Sequence, residues 1–176
     1  MSENIWFDQF GNIVDEREQG AYKAPRVISS ASISGVDKTE YNKLKFEYPS
    51  LEFIKKHSTS STHGVMVLTL PGVYSHNNHQ TVYYRLLIDA RDFPYHKPQT
   101  YVITPKDDEI QHCNIYDGSY FSVWPNKLLC NLCDGISKWE EYKLMVGNDL
   151  FGGLLNQISH VLKNPNIKSA TSREVL

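Results

Sequence analysis

No apolar run in the sequence approaches the roughly 18 residues a membrane-spanning helix requires, so no membrane partner is expected. Charge of one sign is also missing. Eighteen basic residues oppose 20 acidic ones, a formal net charge of −2. Without a global basic field, nucleic acid is not favoured as the main partner. The opening Met1-Ser2-Glu3-Asn4-Ile5-Trp6 has no basic stretch leading into an apolar one, which argues against a secretory signal and makes the cytoplasm the expected compartment. Cysteine is scarce, with three in all, and in a reducing compartment they are expected as thiols. There is no internal repeat, and Cys130-x-x-Cys133 is not accompanied by a second such pair.

What is present suits one ordinary domain. The chain has 176 residues, 40% hydrophobic and 12% aromatic, which excludes a wholly disordered or collagen-like chain. A domain of this length buries roughly 70% of its unfolded surface and needs no disulfide or metal to fold. Residues 1–36 read as an N-terminal arm and linker. Within it Phe10-Gly11-Asn12-Ile13 looks like a turn between two short extended pieces, and Ser29 to Gly35 is small and polar. Residues 37–57 read as helical. Asp37 stands as a cap with Glu40 in the capping-box position, and Tyr41, Leu44, Tyr48, Leu51 and Ile54 follow a three-to-four spacing that Pro49 breaks or kinks. The period then shortens. Val65 to Leu70, Val82 to Ile88 and Thr100 to Ile103 read as strands joined by turn-rich connections, which makes an antiparallel meander. Lys106 to Trp139 shows no sustained period. Asp149 to Leu162 is an amphipathic helix, stopped at Asn164-Pro165-Asn166, and residues 167–176 read as a flexible tail. This order of elements predicts an α+β domain over residues 37–166.

All three cysteines, Cys113, Cys130 and Cys133, lie in the aperiodic stretch, with His112 beside the first. Three chemistries compete for them. They can pack as small hydrophobes. They can bind metal, since Cys130-x-x-Cys133 is half a zinc site that His112 or Cys113 would complete. The pattern is not that of a zinc deaminase, which needs His-x-Glu and a proline before the first cysteine of the pair. Nor is there a helix opening directly on the pair, as a redox motif requires. The third chemistry is a thiol nucleophile that takes an acyl group as a thioester and passes it to an amine, with Asn114 as a candidate donor to the oxyanion. His57, His63, His76 and His79 fall in polar loops and are expected to be solvated. His96 is expected to pack in the proline loop, and Trp139 in the core.

Several segments, taken in order, resemble the ubiquitin-conjugating (E2) enzymes. Tyr84-Arg-Leu-Leu-Ile88, Phe93-Pro-Tyr-His-Lys-Pro98 and Tyr101-Val-Ile-Thr-Pro105 resemble that family's central strands and the Tyr-Pro-Phe-x-x-Pro-Pro loop between them. His112-Cys113-Asn114-Ile115-Tyr116-x-Gly118 resembles its His-Pro-Asn-Ile box. Leu129-Cys130-Asn131-Leu132 followed by Trp139 resembles its acceptor-cysteine signature, and Leu150 to Asn166 the helix and Asn-Pro-Asn stop beyond. The resemblance implies a ubiquitin-conjugating (UBC-like) fold and no cofactor. It makes Cys130 the thioester acceptor, Asn114 the oxyanion or loop-stabilising residue, and His112 structural support. It also implies a protein partner that supplies a C-terminal carboxyl group. The departures are Cys113 in place of the box proline, a gap of 16 residues from Asn114 to Cys130 that implies an insertion near Tyr120 to Asn126, and a chain that ends ten residues after Asn166. The short C-terminus and added arm resemble the stand-alone E2-like proteins of bacterial antiphage (CBASS) operons, which modify a nucleotidyltransferase (CD-NTase). That placement makes the partner either a ubiquitin-like protein or such an enzyme. Two alternatives stay open: an inactive E2-like binding module, and a zinc-stabilised interaction domain built on His112, Cys113, Cys130 and Cys133.

Overall fold

The structure is a computed structural model and describes residues 6–7, 13–14, 34–106, 109–120 and 128–166. The chain divides into two compact units, one of residues 1–32 with 120–128, the other of residues 33–119 with 129–176. In the first, strands β1 (Trp6–Phe7) and β2 (Ile13–Val14) pair antiparallel, Trp6 opposite Val14 and Phe7 opposite Ile13. These are the two extended pieces expected around Gly11. The turn itself, the Ser29 to Ile33 part of the linker, the Tyr120 to Asn126 insertion past Tyr120, and the 167–176 tail lie outside the described residues.

The second unit is α+β, as expected. Its elements run β3 (Val36–Asp37), α1 (Lys38–Glu47), β4 (Glu52–Phe53), a 3-10 turn (Lys55–His57), β5 (Thr62–His63), β6 (Val65–Val73), β7 (Thr81–Asp89), β8 (Gln99–Thr104), β9 (Ile115–Tyr120), β10 (Leu128–Leu132), α2 (Trp139–Val146) and α3 (Leu150–Lys163). Six strands form one sheet in the order β4-β6-β7-β8-β10-β9, and β3 pairs separately with β5.

Local chemistry explains most boundaries. Asp37 Oδ1 accepts from the Thr39 N–H at 2.8 Å and caps α1, meeting one of the donors a helix start leaves unpaired. Glu40 does not complete the capping box. Its Oε1 accepts from the Phe151 N–H at 3.3 Å instead, joining α1 to the start of α3. The helix stops at Glu47 because Pro49 disfavours helical backbone at Tyr48. The helical reading of residues 50–57 is therefore corrected: they form β4 and the 3-10 turn. A further correction falls in the stretch read as aperiodic, where Ile115–Tyr120 and Leu128–Leu132 are strands. Trp139–Val146, beginning where that stretch ends, is a helix that no reading of the sequence assigned.

The core lies between the sheet and α3. Inward-facing residues alternate along the strands, Met66 and Leu68, Leu86 and Ile88, then Val102, and meet Phe151, Leu154, Leu155, Ile158 and Leu162. Leu68 pairs with Leu86, Leu86 with Val102, and Val102 with Cys130. One cross-strand row therefore carries Cys130 into the apolar face. Packing is closest at Gly72. A Cβ there would come within 2.6 Å of the Leu162 carbonyl oxygen, 2.8 Å of the Tyr84 ring and 2.9 Å of Leu162 Cβ. Gly72→Ala must push α3 off β6, and overpacking of this kind costs about 1–3 kcal/mol. Urea denaturation of the variant should show a loss of that size; unchanged stability would mean that α3 is not seated as described.

Candidate functional site

The His112–Asn114 segment leads into β9 and lies against the C-terminal end of α3. His112 is fully buried. Its Nε2 lies 3.1 Å from the Leu162 carbonyl oxygen, and its Nδ1 accepts from the Asn114 N–H at 3.3 Å. A carbonyl only accepts and a backbone N–H only donates, so the ring is the neutral tautomer protonated at Nε2. Burial pushes the imidazole below its ordinary value, opposed in part by hydrogen bonds to the Leu162 and Val161 backbone.

Asn114 is also buried. Its Oδ1 accepts from the Asn166 N–H at 2.7 Å and lies 3.6 Å from Cys113 Sγ. Its main-chain carbonyl accepts from the Cys133 N–H at 2.8 Å. The side chain thus ties the segment to the chain just past α3, and it does not line the cleft described below. The carboxamide oxygen is held by the Asn166 N–H, which fixes the plane of the side chain expected as the oxyanion donor.

The cysteines separate by position, and none is in a disulfide. Cys113 is buried. Cys130 is 9% exposed and belongs to the core, opposite Val102. The residue that the resemblance makes the thioester acceptor thus lies in the cross-strand row of Leu86 and Val102, within the core cluster. Cys133 comes one residue past β10, where the sheet no longer dictates its direction, and it is half-buried.

Cys133 lines a cleft of about 420 Å³, together with Lys97, Thr100, Tyr116, Asp134 and Ser137. One cation organises its floor. Lys97 Nζ lies 2.8 Å and 3.0 Å from the two Asp134 carboxylate oxygens and donates to the Ile136 carbonyl at 3.1 Å. The Asp134 side chain is 3% exposed. Its Oδ1 also accepts from the Ile136 N–H, and its main-chain carbonyl accepts from Gln157 Nε2 on α3, each at 2.9 Å. A carboxylate this buried is tolerated only when paired and hydrogen-bonded. The segment after the thiol is thereby pinned to the β7–β8 loop and to α3. Trp139 Nε1 donates to the Pro94 carbonyl at 2.9 Å, which ties α2 to the same loop. The Tyr116 phenol is pushed above its ordinary value, first by burial and then by the charges of Cys133 and Asp134.

Among the described residues, no three His, Cys, Asp or Glu side chains come together as a metal ion needs. Both nitrogens of His112 are already in hydrogen bonds. Two histidine expectations are corrected as well. His63 is buried, stacked on Phe53 with ring centroids 3.9 Å apart and edge-on to Tyr41, because β5 turns it inward rather than leaving it in a solvated loop. His96 is exposed rather than packed. Lys97 and Tyr116 stand inside two of the segments quoted above and Asp134 directly follows Cys133, but no local pattern marks the three as neighbours. No family model, curated protein or solved structure matches the chain. Among the described residues, no helix is long and apolar enough to cross a membrane.

His57, His63 and His112 all sit below their ordinary value of 6.5, each chiefly through burial. A depressed folded-state value means that the unfolded chain binds protons first as the pH falls. Stability is thus full above about 6.5 and declines below it. Urea titrations should show stability falling from pH 7 to pH 5. His112→Gln should be less stable at pH 7 but lose less over the same interval. A variant as steep as the wild type would mean that His112 is not held neutral.

Proposed function

We propose that this chain is a cysteine-dependent acyl carrier of the ubiquitin-conjugating type, with Cys133 as the thiol that carries the acyl group. The observation that carries the reading is the position of Cys133, partly exposed on a cleft and just beyond a strand whose own cysteine is buried. A thiol in that position is reachable by a large carbonyl substrate, while the hydrogen bonds of Asn114, Lys97 and Gln157 hold its backbone still. The order of elements supports a UBC-like fold: a capped helix, an antiparallel meander, a buried His-x-Asn segment, the thiol, and a long helix across the sheet. The insertion implied by the long spacing, Tyr120 to Asn126, then falls between β9 and β10.

The chemistry is a pair of exchanges. The Cys133 thiolate attacks the carbonyl carbon of a donor thioester, a new C–S bond forms, and the donor's sulfur leaves as a thiolate and takes up a proton. An amine then attacks the carried carbonyl. A C–N bond forms, the Cys133 sulfur departs with the electron pair, and the amine's proton passes to solvent. No cofactor takes part in either step. The donor is a protein whose C-terminal carboxyl has already been activated, either a ubiquitin-like protein or a nucleotidyltransferase modified at its C-terminus in antiphage defence.

Co-expression with a candidate partner operon of the antiphage type tests this on non-reducing gels. Wild type should give a thiol-labile adduct, Cys133→Ser a stable oxyester, and Cys133→Ala none while remaining folded. An adduct that survives Cys133→Ala but disappears in Cys130→Ala would move the acceptor to the buried position. No adduct under any condition would make the protein a binding module. Iodoacetamide on the native protein should label Cys133 first, with Cys113 protected until unfolding; equal protection of all three would remove the basis for a nucleophilic thiol.

A further inference from the structure

We propose that the Tyr116 hydroxyl is the hydrogen-bond donor to the oxyanion that forms when a carbonyl is attacked by Cys133. This rests on the reading of Cys133 as the acyl carrier and adds the group that stabilises its transition state. Attack on a thioester turns the carbonyl oxygen into an oxyanion, and a donor fixed beside it lowers the barrier. The nearby donors are mostly committed. The Cys133 N–H is bonded to the Asn114 carbonyl, and the Ile136 N–H to Asp134. Lys97 Nζ already serves the two Asp134 oxygens and the Ile136 carbonyl. Asn114 is not among the residues that line the cleft.

Tyr116 differs from all of these. It stands on β9, lines the same cleft as Cys133, and its hydroxyl makes no hydrogen bond among the described residues. A regular strand holds the ring where a loop residue would drift. The phenol is near enough to Cys133 and Asp134 for their charges to act on it, and its raised ionisation keeps the O–H intact through neutral pH. Two other hydroxyls belong to residues of the cleft: Ser137 lies exposed on the loop before α2, and Thr100 Oγ1, without a hydrogen-bond partner among the described residues, is itself buried, out of reach of a substrate carbonyl.

The test uses the full-length protein and one defined probe, the S-benzyl thioester of N-acetylglycine, with acylation of Cys133 followed by intact mass. Tyr116→Phe removes a single oxygen. It should slow acylation by about 10²–10³-fold, the usual scale for one lost oxyanion donor. Alkylation of Cys133 by iodoacetamide is displacement at a saturated carbon and builds no oxyanion, so its rate should not change. Ser137→Ala should leave both rates alone. Acylation of Tyr116→Phe at the wild-type rate, or equal loss of acylation and alkylation, would overturn the role. If Tyr116→Phe lowers the thermal midpoint, Tyr116→Gln is compared with Tyr116→Leu: faster acylation by the glutamine variant supports a donor, and equal rates overturn it. A wild-type protein that is alkylated at Cys133 but never acylated would defeat the carrier reading itself, and this role with it.

Discussion

The main-chain carbonyl of Leu162 is the point on which the site depends. It belongs to the last turn of α3, where carbonyls have no partner within the helix. It lies 3.1 Å from His112 Nε2. The same oxygen sits against Gly72, where any side chain would intrude. One helix end is thereby fixed to the meander and to the His112–Asn114 segment together. Asn166 extends the attachment through Asn114 Oδ1. Asn114 in turn takes the Cys133 N–H, so the position of the thiol follows from the seating of α3.

Strand geometry then divides the labour between two neighbouring cysteines. In β10 alternate side chains face opposite sides of the sheet, and the register with β8 gives Cys130 to the core. Cys133 lies beyond the last paired residue and is released toward the cleft. The price of that release is a short irregular segment whose backbone needs other partners. The Lys97–Asp134 pair and Gln157 provide them. Removing one member of so buried a pair strands the other charge, so the pair belongs to the rigidity of the site rather than to its reactivity. Tyr116, on the adjoining strand, completes a cleft in which a thiol and a neutral O–H share one space.

Where side-chain periods were strong, the elements were legible in the sequence. The meander strands and α3 appear within a few residues of their expected limits, and Asp37 caps the helix it was expected to cap. Weak periods hid the rest. β10 is a near-continuous run, Leu128-Leu129-Cys130-Asn131-Leu132, that could belong to several kinds of structure, and β9 offers little alternation. α2 has no buried residue to mark a face. His63 looked solvated among serines and threonines because nothing local showed that β5 pairs with β3.

The α+β class, the meander, the last helix, and the grouping of three cysteines with a histidine and an asparagine in one stretch are all legible in the chain before it folds. These follow from hydrophobic period, capping residues and proximity along the chain. Which thiol reaches the cleft, and that Asn114 Oδ1 meets Asn166, are settled by folding. It also brings Lys97, Tyr116 and Asp134 to one cleft. Those outcomes depend on strand register and on contacts between residues such as Asn114 and Asn166 or Asp134 and Gln157. Contacts between residues so far apart in the chain leave no local period, so they emerge only when the chain is folded.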